Sequence, residues 1–160
     1  MNPPRVANMH TFPWECYDPK DYLRIDRSSV WGNPYRIGTI FDETGTHYRS
    51  RIQSMRMYEE LMLDRLIGRQ GPAHGVGSRV NEDTGKRWSG VMIRGAPTIL
   101  EQCAEGQLWI DRLKALENKI LLCWCKPQLC HGDIIVDFYE ELPKYIERLA
   151  LHRLKSKEKE

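Results

Sequence analysis

Three cysteines and a histidine fall within nine residues of this 160-residue chain, as Cys123, Cys125, Cys130 and His131. Thiolate sulfur together with imidazole nitrogen is the donor set of a Cys3His zinc site. At the end of a strand Cys123 and Cys125 face the same side, because side chains repeat every two residues, while Trp124 turns the other way into packing. Pro127 turns the chain back, and Cys130 and His131 then arrive at a helix start. The spacing is not that of a zinc finger or ribbon, since two ligands stand one residue apart and two are adjacent. A bound zinc would draw the sulfurs within about 4 Å of one another, as bonds of ~2.3 Å require. Four ligands close such a site; three leave a position open for water. Other chemistries fit the same residues. Cys130 can be a nucleophile activated by the helix N-terminus and His131, with Asp133 as general acid–base or as a hydrogen-bond partner. Cys123 and Cys125 can be a redox couple, strained by the single residue between them. Free cysteines also pack as small apolar side chains, and an apolar strand is where they belong.

A second unusual segment runs Ile25-Asp26-Arg27-Ser28-Ser29-Val30-Trp31-Gly32-Asn33-Pro34-Tyr35. An arginine at a strand end, followed by small polar residues and a glycine turn, can cradle an anion with its guanidinium and backbone N–H groups. Arg27 and Ser28 would hold the anionic part of a ligand. Trp31 and Tyr35 offer flat faces for a base, and Asn33 an amide for base or ribose. An ordinary turn with an aromatic anchor would look the same.

The elements that must position these residues are legible from periodicity. Residues 1–19 carry four of the nine prolines and read as an irregular arm. Asp21 to Arg27 alternate apolar and charged residues, which predicts a strand. Tyr48, Ile52, Met55, Tyr58, Met62 and Leu66 recur every three or four positions, which predicts a helix over about 46–68 stopped by Gly68. Residues 68–97 hold seven of the twelve glycines with little periodicity, and read as a long loop bordering the site. A second helix is expected over 98–117, with Thr98 and Glu101 as a capping box and Asn118 ending it. Lys119 to Cys125 form a continuous apolar run of strand length, as in a strand buried on both faces. A further helix should begin near Gly132-Asp133 and break at Pro143. Lys155 to Glu160 form a polar tail. This order predicts an α/β fold with a small, mostly parallel sheet covered by helices, Rossmann-like and three-layered, in a single domain. Both unusual segments then follow strands at their carboxyl ends, the edge where open α/β sheets bind ligands.

Composition narrows the classes. Lys and Arg number 24 against 22 Asp and Glu, a formal charge of +2 that gives no overall field arguing for nucleic acid or anionic membrane. With 41% hydrophobic and 29% charged residues the chain is a soluble globule rather than a disordered one. No apolar run approaches the ~20 residues of a membrane span, and the N-terminus does not read as a signal peptide. A cytoplasmic protein follows, with cysteines as thiols or ligands. No P-loop, dinucleotide fingerprint, Ser-His-Asp order or deaminase signature is present. His10, His47, His74 and His152 read as surface residues, with His74 a candidate to join the site from the loop.

The segments Val30-Trp31-Gly32-Asn33-Pro34-Tyr35 and Leu122-Cys123-Trp124-Cys125, with Pro127 and Cys130-His131-Gly132-Asp133, resemble a family of small phage and bacterial proteins known as a domain of unknown function. That family pairs a Trp-Gly-Asn-Pro-Phe segment with a Cys-Trp-Cys-x-Pro-x-x-Cys-His segment, and this chain has Tyr35 in place of Phe. The resemblance covers about 22–38 and 119–139 and names no reaction. Two functions are expected from the residues. One is a protein binding a nucleotide or nucleobase-like ligand beside a Cys/His site with zinc, an enzyme of nucleotide or DNA-base modification. The other is a zinc-stapled module that engages a host protein or nucleic acid without catalysis. A closed four-ligand site marks the second.

Overall fold

The structure, a computed structural model, describes residues 2–68 and 99–157. The Gly-rich loop expected over 68–97 lies outside them except for Gly68, as do His74, the Thr98 cap and the last three residues of the tail. The described chain is α/β. Its elements are β1 (Arg5–Asn8), β2 (Tyr22–Arg24), β3 (Gly38–Asp42), β4 (Gly45–Arg49), α1 (Arg51–Leu66), α2 (Ile99–Lys114), β5 (Ile120–Cys123), α3 (His131–Glu140) and α4 (Leu142–Lys157).

A three-stranded sheet has the order β1-β5-β2, and both neighbours run parallel to β5. The apolar run Ile120-Leu121-Leu122-Cys123 is buried along its whole length, as its composition requires. Each fully buried leucine there contributes about 1.5–3 kcal/mol relative to exposure. Ile120 and Leu122 face a cluster built by Met9, Phe12, Ala7, Tyr17 and Tyr22. Phe12 stacks on Tyr17 at 4.9 Å and meets Tyr22 edge-on at 5.4 Å. Alternation sends Leu121 and Cys123 to the opposite face, and α3 packs against β1 and β5. A Cβ on Gly132 would come within 2.8 Å of Ile25 Cδ1 and 2.9 Å of Val6 Cγ1, so the first turn of α3 sits directly on the sheet.

Three expectations are corrected. The 1–19 arm is not wholly irregular: Arg5 to Asn8 form an edge strand, and the aromatic residues that follow cover one sheet face. The helix expected from 46 begins at Arg51, because Gly45 to Arg49 pair antiparallel with Gly38 to Asp42 in a hairpin. Glu43 and Thr44 form its two-residue loop. Lys155 to Lys157 belong to the last turn of α4 rather than to a tail. Gly68 adopts φ +71 and Asn118 φ 61, and Glu141 separates α3 from α4 just before Pro143 as expected, whereas β2 ends at Arg24 rather than Arg27, α2 at Lys114 rather than 117, and β5 at Cys123 rather than Cys125.

The residues cluster into two compact units, Met1–Met62 with Arg112–Pro143, and Leu63–Asp111 with Lys144–Glu160. The first holds both sheets, α3 and most of α1. In the second, the end of α1 meets α2 through Arg65, whose guanidinium lies 4.2 Å from the Trp109 ring centroid. His152 of α4 reaches Gln102 of α2 at 3.3 Å. No helix among the described residues is long and apolar enough to cross a membrane.

Candidate metal centre

The four residues singled out by spacing do converge. One ligand atom each from Cys123, Cys125, Cys130 and His131 lies within 4.8 Å of all the others, so the cluster could hold a metal ion. Cys123 is the last residue of β5, and Cys130 and His131 stand at the N-terminus of α3. Cys130 is the N-cap: extended at φ −128 and ψ 139, it lets its sulfur accept the Gly132 N–H at 3.3 Å. Trp124 departs from expectation, remaining half exposed with its ring 4.4 Å from that of His10.

The histidine fixes the polarity of the site. His131 Nε2 donates to the Ile25 carbonyl at 2.6 Å, which leaves Nδ1 facing the sulfurs. Nδ1 lies 3.7 Å from Cys123 Sγ and 4.0 Å from Cys130 Sγ. Ligand bonds of ~2.3 and ~2.0 Å about a tetrahedral ion would set sulfur and nitrogen roughly 3.5 Å apart. The observed spacings are close to that edge. The Tyr58 ring stands edge-on to His131 at 5.2 Å, and its hydroxyl donates to the Trp31 carbonyl at 2.6 Å.

Hydrogen bonds tie the cluster together. Hydrogen bonds from Cys123 and Cys130, then from His131, pull the Cys125 thiol far down against the cost of its burial, and Arg51 adds a further donation. Hydrogen bonding to Cys123 and Cys125, then burial, pushes the Cys130 thiol up, outweighing the Gly132 N–H. Burial disfavours a charged His131, but its contacts with Cys123 and Cys125 prevail and raise it to about 9. Cys125, the half-buried member, is therefore the thiol held lowest and Cys130 the one held highest. A metal cation would displace the protons of such a cluster.

The second segment meets the first, though largely through its backbone. Ile25 supplies the carbonyl under His131 and Trp31 the carbonyl under Tyr58. Trp31 itself is buried. Asn33 is buried too: its Nδ2 donates to Ser54 Oγ at 3.0 Å, and its Oδ1 accepts the Tyr35 N–H at 2.9 Å. Ser28 turns to Asp26, donating from its hydroxyl and, at 3.2 Å, from its N–H. Arg27 is exposed, with Nε donating to the Asn33 carbonyl at 3.3 Å. Its charge feels Cys125 as well. Asp133 is held by Lys126 Nζ at 2.6 and 2.8 Å. Gly32 is required where it stands, since a Cβ would lie 2.5 Å from the Asp26 carbonyl oxygen.

Sequence reasoning missed the contribution of α1. Arg51, Ser54 and Tyr58 recur three and four residues apart and so share a helix face. Arg51 donates to the Leu129 carbonyl at 3.2 Å as well as to Cys125. Their spacing was the available signal, but it was indistinguishable from an ordinary packing stripe.

Fold and site together define an α/β protein with a Cys3His cluster where a parallel strand meets a helix N-terminus. The chain belongs to the family described as Domain of unknown function (DUF4326), which matches residues 10–141. No curated protein and no solved structure matches it.

Proposed function

We propose that this protein is a zinc-stapled binding module in which Cys123, Cys125, Cys130 and His131 hold one structural zinc ion. One observation carries the reading: the Nε2–Ile25 hydrogen bond commits His131 to present Nδ1 to the three sulfurs. Three thiolates and an imidazole favour zinc by softness and by tetrahedral geometry. The metal would tie the end of β5 to the start of α3 and, through His131, to the 25–35 turn. Four protein donors supply a full tetrahedron, which suits a structural role better than an open catalytic position. As a nucleophile Cys130 would need a lowered pKa and access, whereas its thiol is fully buried and pushed up. Asp133, paired with Lys126, serves the α3 N-terminus rather than a proton transfer.

The test is metal content in protein purified without chelator. One zinc per chain is expected, and cobalt substitution should give the absorption of tetrahedral thiolate ligation. Protein free of zinc and iron, with three independently titrating thiols, would overturn the reading.

A second reading, a nucleotide or nucleobase-like ligand held beside the metal, draws support from Arg27, which is exposed yet close enough to Cys125 to feel its charge. Arg27→Ala would then abolish nucleotide binding, measured by calorimetry, while zinc content stays the same. Trp31 and Asn33 lend it little, as both are engaged inside the fold.

A further inference from the structure

The overall charge of +2 conceals a local excess. Residues 27–56 carry five arginines against Asp42 and Glu43, a formal charge of +3. Four of those arginines follow one another from the cysteine cluster toward the hairpin. Arg51 lies on Cys125 and the Leu129 carbonyl. Arg27 shares the field of Cys125 and docks on the Asn33 carbonyl at 3.3 Å. Arg36 acts on Arg27 by charge repulsion. Arg49 donates to the Arg36 carbonyl at 3.4 Å and lies 5.6 Å from the Tyr35 ring centroid.

The nature of these partners is informative. Arg27 and Arg49 are oriented by backbone carbonyls, which hold a guanidinium in place without cancelling its charge, while Arg51 is shared between the Leu129 carbonyl and Cys125. The nearby carboxylate of Asp26 is engaged by Arg24 and Ser28. The series runs from the metal rim to the β3–β4 hairpin, where Phe41 is 69% and Tyr48 68% exposed. Thr39 pairs with Tyr48 and Phe41 with Thr46, so the two aromatic residues stand on one face of the ribbon.

From this juxtaposition we infer that Arg51, Arg27, Arg36 and Arg49 form a phosphate track for single-stranded nucleic acid, with Phe41 and Tyr48 as stacking surfaces at its end. One phosphate engages one or two guanidinium groups, so a series of four fits a polyphosphate chain better than a mononucleotide. Base stacking on exposed aromatic rings needs bases free of a duplex, which selects the single strand. The inference rests on the zinc-stapled reading only in that the metal would fix the 25–35 turn carrying Arg27.

The experiment is fluorescence anisotropy of the zinc-loaded full chain with labelled oligothymidylate and oligouridylate, against a duplex of equal length. Single strands should bind more tightly, with log K falling against log salt at a slope between about −2 and −3 for four contacts. Arg36→Ala and Arg49→Ala should each weaken binding and make that slope shallower by about 0.7. Phe41→Ala and Tyr48→Ala should cost about fivefold or more while leaving the slope unchanged. Arg148→Ala, in α4, should bind as the parent does. Zinc content is measured in every sample. Zinc-loaded protein that ignores both oligonucleotides overturns this inference and spares the metal site, whereas a parent chain without zinc overturns the metal site. Tighter binding to duplex, or equal competition by polyglutamate, would assign the track to another partner and overturn the single-strand inference.

Discussion

At the residue scale, His131 and Cys130 do different work in one cluster. Replacing Cys130 with Ser removes both a proposed ligand and the α3 N-cap sulfur, while His131→Gln removes the group that joins the cluster to Ile25. Both variants should lose zinc in a competition titration with a chromophoric chelator, by at least the 10–100-fold that even indirect partners of a metal ligand command. Acid should weaken zinc binding as well, because the ligands must shed protons to bind. Asp26 gives a separate dependence on pH. Burial pushes its carboxyl up, but donations from Ser28 and Arg24 outweigh that and hold it below the ordinary 3.8. A carboxyl depressed in the folded state stabilises fully above its unfolded value, and that contribution is lost as pH falls through the lower folded value. Asp26→Asn should therefore cost about 0.5–1 kcal/mol at neutral pH, the Arg24 pairing being exposed, and almost nothing in strong acid. Urea titrations at pH 7 and near pH 2 would check this; an equal loss at both would refute it.

At the element scale, glycines decide how closely segments approach. Gly68 combines φ +71 with a Cβ position only 1.9 Å from the Gln102 carbonyl oxygen, whereas Gly45 has φ +111 and nothing within 4 Å. Gly45→Ala should cost only backbone strain, about 1–3 kcal/mol. Gly68→Ala adds an unyielding backbone clash and should lower the melting temperature more, with Gly32→Ala costing roughly 1–3 kcal/mol by overpacking alone. Melting curves that rank Gly45→Ala as the worst of the three would contradict these geometries. The same scale shows what could be read in advance. Strand β5 was legible because four consecutive apolar residues leave little choice but burial on both faces. The break before Pro143 followed from a missing N–H. Strand β1 was not legible: Arg5-Val6-Ala7-Asn8 is short, lies among prolines and owes its pairing wholly to β5. The hairpin was hidden because Tyr48 falls in phase with Ile52, Met55 and Tyr58, so the helical period seemed to start one element early. The cysteine cluster was readable because its ligands are neighbours in sequence. Arg51 and Tyr58, some seventy residues away, become part of the site only through the fold.

At the scale of the whole molecule, the sheet joins distant parts of the chain. Arg5–Asn8 and Tyr22–Arg24 both pair with Ile120–Cys123, and the Ile25 carbonyl waits for His131. Removing zinc by chelation should therefore loosen 25–35 and 120–133 together, seen as faster amide exchange in both, because one ion would secure both. Exchange that accelerates only near the cysteines would argue against a staple. The order of synthesis adds a consequence of its own. When β1 and β2 leave the ribosome the sheet partner they share, β5, is about a hundred residues short of existing, a delay of several seconds at 5–20 residues per second. The two strands that later flank β5 must spend that interval unpaired, with Phe12 and Tyr22 uncovered. Nucleation has to start from local pieces such as the β3–β4 hairpin and α1, and closure of the sheet comes late and slowly, as long-range parallel pairing does. Any nascent chain stopped before residue 131 can neither complete the sheet's far face nor assemble the four-ligand cluster, so an ion held by all four would be secured among the last events of folding and would then hold shut what took longest to assemble.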